Sequence, residues 1–110
     1  MRAVIYARVS TDEQGDNFSL PSQIDACRRY AAERGMQVIA DVQDAASGAV
    51  LERPGLARVR ELARQRQIDA VIVYALDRLS RNTAHLLLLL DDLRSAGVAL
   101  HTVNRGESGD

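Results

Sequence analysis

The sequence predicts an α/β fold: a three-layer domain with a mainly parallel sheet of four strands, or slightly more, and helices on both faces. Three observations carry this. Short apolar, β-branched runs alternate with amphipathic stretches in the order βαβαβαβ, the pattern of a parallel sheet joined by helical crossovers. Gly and Pro fall at the joints between runs. The length, 110 residues, fits a single domain.

The elements follow in order. Arg2 to Val9 (RAVIYARV) reads as a buried strand, and the polar stretch 10–19 as a loop. Ser19 caps a helix over about 20–34, with Pro21 tolerated in its first turn. Leu20, Ile24, Cys27 and Ala31 form its apolar stripe, and Gly35 ends it. Met36 to Val42 is the second strand, and 43–53 the next loop. Pro54 opens a helix over about 54–66, with Leu56, Val59, Leu62 and Ala63 facing inward. Asp69 to Leu76 reads as a third strand buried on both faces. A helix from about Arg81 or Asn82 to Ser95 is closed by Gly97, and Val98 to Val103 is the fourth strand. Leu86, Leu90 and Leu93 are its expected core positions, while Leu87 to Leu89 are candidates for a second contact. The tail after Val103 reads as unordered.

Composition narrows the function. The net charge of −1 argues against a domain that holds nucleic acid by bulk electrostatics alone. All 14 basic residues are Arg. Codon usage in a GC-rich genome explains that as well as selection for guanidinium groups that fork onto phosphate oxygens. A single Cys, Cys27, excludes an internal disulfide and a Cys-rich metal site. The Leu86–Leu90 run is far short of the about 20 residues that span a bilayer. No signal-peptide layout opens the chain, so the expected location is cytoplasmic. There is no GxxxxGK[ST], HExxH or GxGxxG motif, so no nucleotide, zinc or dinucleotide cofactor is expected.

In open parallel sheets ligands bind beyond the carboxyl ends of the strands. The residues expected there are Arg8 and Ser10 after the first strand, Asp44 and Ser47 after the second, and Asp77, Arg78 and Arg81 after the third, with Arg53 closing the second loop. Arg8 and Ser10 are two apart, so both point to the same side of a strand. Arg8 has an ordinary alternative, an ion pair with Asp12 or Asp44. Arg78 and Arg81 share one face if that turn is helical, and cations at a helix start call for an anion. Asp77 supplies one internally; a phosphate supplies another. Gln23 reads as a solvated residue of the first helix. No His accompanies Ser10, so a Ser-His-Asp triad has no support. A serine among arginines suits attack on a phosphodiester, with the arginines holding the non-bridging oxygens.

These strings together resemble the catalytic domain of the serine recombinases, the resolvase/invertase family. The resemblance runs through YARVS (Tyr6 to Ser10), SLPSQ (Ser19 to Gln23), DAASG (Asp44 to Gly48), RPGL (Arg53 to Leu56) and YALDRLSRN (Tyr74 to Asn82). SLPSQ looks more like the large recombinases of phages and mobile elements than the small resolvases. The resemblance implies that Ser10 is the nucleophile, forming a 5′-phosphoserine link and freeing a 3′-hydroxyl. It implies that Arg8, Arg78 and Arg81 bind the scissile phosphate with Arg53 contributing, and that Asp77, Asp44, Gln23, Ser47 and Tyr6 support them. No metal or cofactor is implied. The implied partners are a specific DNA site and further copies of the chain, dimer to tetramer. Residues 1–110 are then expected to be one catalytic domain of a longer chain, without its oligomerisation helix and DNA-binding region, and inactive alone. The competing expectations are a phosphate- or nucleic-acid-binding module without turnover, and a small phosphatase.

Overall fold

The structure, a computed structural model, describes residues 1–9, 20–45 and 53–104. The element order is β1 (Arg2–Val9), α1 (Leu20–Glu33), β2 (Gln37–Ala45), α2 (Pro54–Arg64), β3 (Ala70–Val73), α3 (Leu76–Leu79), α4 (Thr83–Ser95) and β4 (Ala99–Thr102). The strands form one four-stranded sheet in the order β2-β1-β3-β4. Every pairing is parallel, as the sequence predicts.

The strand order explains the layers. The chain moves one way from β1 to β2 and back past β1 to reach β3 and β4. Right-handed crossovers therefore put α1 on one face and α2 and α4 on the other. Alternation along β1 divides its side chains accordingly. Ala3 and Ile5 join Cys27 and Ala31 of α1 with Ala70 and Ile72, and small residues at four of these positions let α1 lie close to the sheet. Val4 and Tyr6 join Val42, Leu56, Val59, Val71, Leu79, Leu89 and Leu93 on the other face. Burial pushes the Cys27 thiol up to about 12, so it behaves as a small apolar residue. Gly35 and Gly97 close α1 and α4 at φ +68° and +75°, where a side chain is strained. No helix of the described residues is long and apolar enough to cross a membrane.

Several expectations are corrected. β2 runs on to Ala45, because Arg8 and Val9 pair with Asp44 and Ala45 and extend the ladder into polar sequence. Asp44 thus sits on a strand, buried, and not in a loop. β3 ends at Val73, where its pairing with β1 and β4 ends. The chain then turns into α3, and Leu76, expected inside, is 45% exposed. α4 starts at Thr83 behind an Asn82 cap, and its inner stripe is Leu86, Leu89 and Leu93. Leu89 is buried where a second contact was expected, whereas Leu87 and Leu88 point outward.

Candidate active site

The direction of the chain reverses between β1 and β3, so the carboxyl ends of these strands border the crevice where open α/β sheets bind ligands. Arg8 stands there at the end of β1, with no exposed surface. Its Nε donates to the Arg78 carbonyl at 3.0 Å and its Nη2 to the Asp77 carbonyl at 2.6 Å. These carbonyls belong to α3, so the one-turn helix after β3 is what aims the guanidinium. Arg78 in turn donates from Nη1 to the Arg8 carbonyl at 3.4 Å. Burial pulls the Arg8 pKa below the ordinary arginine value; the charges of Arg53, Arg81 and Arg78 add to this, and Tyr6 opposes it. Four guanidinium groups thus act on one edge of the sheet.

Of the two alternative partners for Arg8, Asp12 lies outside the described residues, and the pairing with Asp44 does not occur. Asp44 Oδ2 accepts the Tyr6 hydroxyl at 2.7 Å and the Leu56 N–H at 3.0 Å, and Oδ1 accepts the Gly55 N–H at 2.8 Å. The carboxylate caps α2 from the neighbouring strand, because the cap residue, Arg53, offers no side-chain cap of its own. The support Asp44 gives to the arginines is therefore indirect: it fixes the turn from which Arg53 projects. Burial, then the hydrogen bond to Asp44, drives the Tyr6 phenol well above its ordinary pKa, against the opposing charge of Arg53. Tyr6 accordingly stays a donor. Arg53 is 2% exposed, lies 5.7 Å from the centre of the Tyr6 ring and donates from Nη2 to the Leu79 carbonyl. Among the described residues, its Nε and Nη1 are buried with no hydrogen-bond partner.

Gln23 is not the solvated residue its sequence position suggests. It is fully buried, and its amide accepts from the Arg8 N–H at 3.2 Å and donates to the Arg8 carbonyl at 3.0 Å. It lies one helical turn from Cys27 and two from Ala31 on the buried face of α1. The spacing 23, 27, 31 was the available signal. Arg78 and Arg81 do not share a helix face: Arg78 is in α3, and Ser80 is extended before α4 begins. Asp77 is 3.8 Å from Arg78 Nε, so its ion pair is with Arg78 and not with Arg81. Arg81 is exposed. It is presented by two residues the sequence reading passed over. Ser80 Oγ accepts the Asn82 N–H at 3.1 Å, and Asn82 Oδ1 accepts the His85 N–H at 3.1 Å. Asn three residues ahead of His85 is a recognisable helix cap in sequence. Ser10 and Ser47 lie outside the described residues.

A family model, the resolvase N-terminal domain, matches residues 3–110. The chain is 44% identical over 101 residues to a putative DNA recombinase of Bacillus subtilis (strain 168), covering 91% of this chain and 20% of that protein. It is 38% identical over 105 residues to the transposon Tn552 DNA-invertase of Staphylococcus aureus, covering 96% of this chain and 48% of that one. The chain thus spans half or less of these two relatives. Among solved structures, the N-terminal catalytic domain of TP901-1 integrase aligns with a TM-score of 0.86 at 37% identity, over 96% of this chain and 78% of that one. The C-terminal catalytic domain of an IS607-like serine recombinase, ISC1926 TnpA, aligns with a TM-score of 0.84 at 34% identity, over 94% of this chain and 70% of that one. The chain belongs to the resolvase N-terminal domain family.

Proposed function

We propose that this domain cuts and rejoins DNA, with Ser10 as the nucleophile. Ser10 Oγ attacks the phosphorus, the 3′-oxygen leaves as a hydroxyl, and the 5′-phosphate stays on the serine. Attack by a 3′-hydroxyl reverses the step. The link conserves the phosphodiester energy, so the chemistry needs neither metal nor nucleotide. Arg8, Arg78, Arg81 and Arg53 hold the non-bridging oxygens and balance charge as it develops. Asp77 steadies Arg78, Gln23 fixes the backbone at Arg8, and Tyr6 and Asp44 fix the start of α2. Ser47 is a further supporting residue by resemblance.

The observation that carries this reading is the buried Arg8 guanidinium aimed by two backbone carbonyls among other arginines. Buried donors without partners cost about 1–3 kcal/mol each, so the two on Arg53 favour an arriving anion. We assign the partners as a specific DNA site and further copies of the whole protein, dimer to tetramer, in the cytoplasm. The relative of which this chain spans only 20% supports the large-recombinase type.

The test is a DNA site carrying a nick, so that cleavage releases a short strand and traps the covalent adduct. Full-length protein should give a denaturant-stable protein–DNA band, and Ser10→Ala should give none. A band that survives Ser10→Ala overturns the assignment. Binding without any band in the unaltered protein favours a binding module instead.

A further inference from the structure

We propose that Gly55 is a positioning residue for this reaction: its missing side chain lets the first turn of α2 close on the Asp44 carboxylate, and that contact seats Arg53. The inference rests on the reading above, in which Arg53 serves phosphate chemistry.

A Cβ on Gly55 would stand 2.8 Å from Asp44 Oδ2, 2.9 Å from Asp44 Cγ and 2.8 Å from Val42 Cγ1. Carbon atoms do not pack that closely. Neither neighbour has room to yield. Val42 is 8% exposed in the core beneath α2, and Asp44 is 7% exposed with its carboxylate held by Tyr6 and by the Gly55 and Leu56 N–H groups. The backbone does not demand glycine, since the positive-φ glycines of the described residues are Gly35 and Gly97. Helix propensity argues against it as well, because glycine is the poorer helix former. What remains is distance: α2 meets β2 here closely enough that only hydrogen fits.

The consequence reaches Arg53. It is two residues before Gly55, and its backbone carbonyl accepts the Ala57 N–H at 2.8 Å as the first bond of the helix. Tyr6, Asp44, the first turn of α2 and Arg53 therefore move as one unit. A methyl group on residue 55 must push the carboxylate off the helix or lift the helix off the strand. Either displacement shifts the Arg53 guanidinium relative to Arg8.

The experiment uses the nicked site DNA with full-length protein. Gly55→Ala should slow adduct formation by about 100-fold, the cost of a misplacement near 1 Å, while DNA affinity by gel shift is retained. The residue 56 amide should lose its protection from hydrogen exchange. Glu61→Gly, which weakens the same helix at an exposed position beyond its first turn without adding atoms, should keep the wild-type rate. On an Asp44→Ala background, Gly55→Ala should cost much less than it does alone, the remainder coming from the contact with Val42 Cγ1. An unchanged rate in Gly55→Ala, or a full additional loss on the Asp44→Ala background, overturns the proposal. If Gly55→Ala does not fold, a folded Asp44→Ala/Gly55→Ala double variant supports the clash. An unfolded double beside a folded Asp44→Ala makes Val42 the obstacle and rejects it. An adduct that survives Ser10→Ala defeats the recombinase reading separately, and the amide exchange still reports whether Gly55 seats Asp44.

Discussion

Arginine meets two different fates at the two ends of this sheet. At the amino ends of the strands and the matching ends of the helices, Arg2, Arg60 and Arg64 are paired with Asp69, Asp92 and Glu61 across largely exposed surface. At the carboxyl ends, Arg8 and Arg53 are buried and donate to backbone carbonyls. A carboxylate partner neutralises a guanidinium. A carbonyl orients it without itself cancelling the charge, at the desolvation cost of burial. One residue type thus serves as solvated decoration at one end and as oriented charge at the other.

The largest effect that tests this contrast is on chemistry. Arg8→Lys retains the charge but replaces a planar fork by a single ammonium group, which does not span both α3 carbonyls. Adduct formation on nicked DNA should fall by about 100- to 1,000-fold, the usual cost of losing one oriented donor. Arg60→Lys, at the other end, should leave the rate unchanged. Equal rates in the two variants would erase the distinction.

The next effect is on stability. Gln23→Leu removes the amide that satisfies both backbone groups of Arg8 in a fully buried position. Unfolding by denaturant should show a loss of about 1–3 kcal/mol. Adduct formation should fall with it, because the same amide holds the strand end that carries Arg8. A stable variant with normal cleavage would mean that Gln23 only fills space.

How much of this was readable in the sequence follows from the same physics. The element order and the parallel sheet were legible because periodicity is a local property of a strand or a helix. So was the gathering of Arg8, Arg53, Asp77, Arg78 and Arg81 at one edge, since topology alone puts strand ends together. Pair assignments were not legible. That Asp44 binds Tyr6 and caps α2 depends on a strand extension fixed by pairing with β1, and nothing in the sequence from Gln43 to Ala45 favours a strand. Gln23 was misread because a polar residue near a helix start is judged by type, whereas its burial comes from the packing of α1 on the sheet. α3 was missed because four residues carry too little periodicity to register.

A smaller effect belongs to the exposed pairs. Arg60 reaches Asp92 at 2.6 Å, but the aspartate side chain is 50% exposed. Arg60→Ala should cost no more than about 1 kcal/mol in denaturant unfolding, and added salt should shrink the difference. A loss as large as that of Gln23→Leu would show the two ends to be alike in energy.

The finest distinction concerns acid. Asp69 accepts the Arg2 backbone N–H at 2.8 Å and Arg2 Nε at 3.4 Å, and its own N–H donates to the Arg2 carbonyl at 2.7 Å. The backbone hydrogen bond, then the side-chain one, holds its carboxyl below the usual carboxylate range. A group whose folded pKa is depressed contributes stability above its unfolded value, near 3.9, and loses it as pH falls through the folded value. The domain should therefore lose a small part of its stability below about pH 4, and Asp69→Asn should flatten that part of the curve. Arg2→Ala should flatten it only in part, because the main-chain hydrogen bond to Asp69 survives the substitution. Thermal midpoints from pH 5 down to pH 2.5 would decide it. Identical slopes in all three proteins would remove the start of β1 from the acid response.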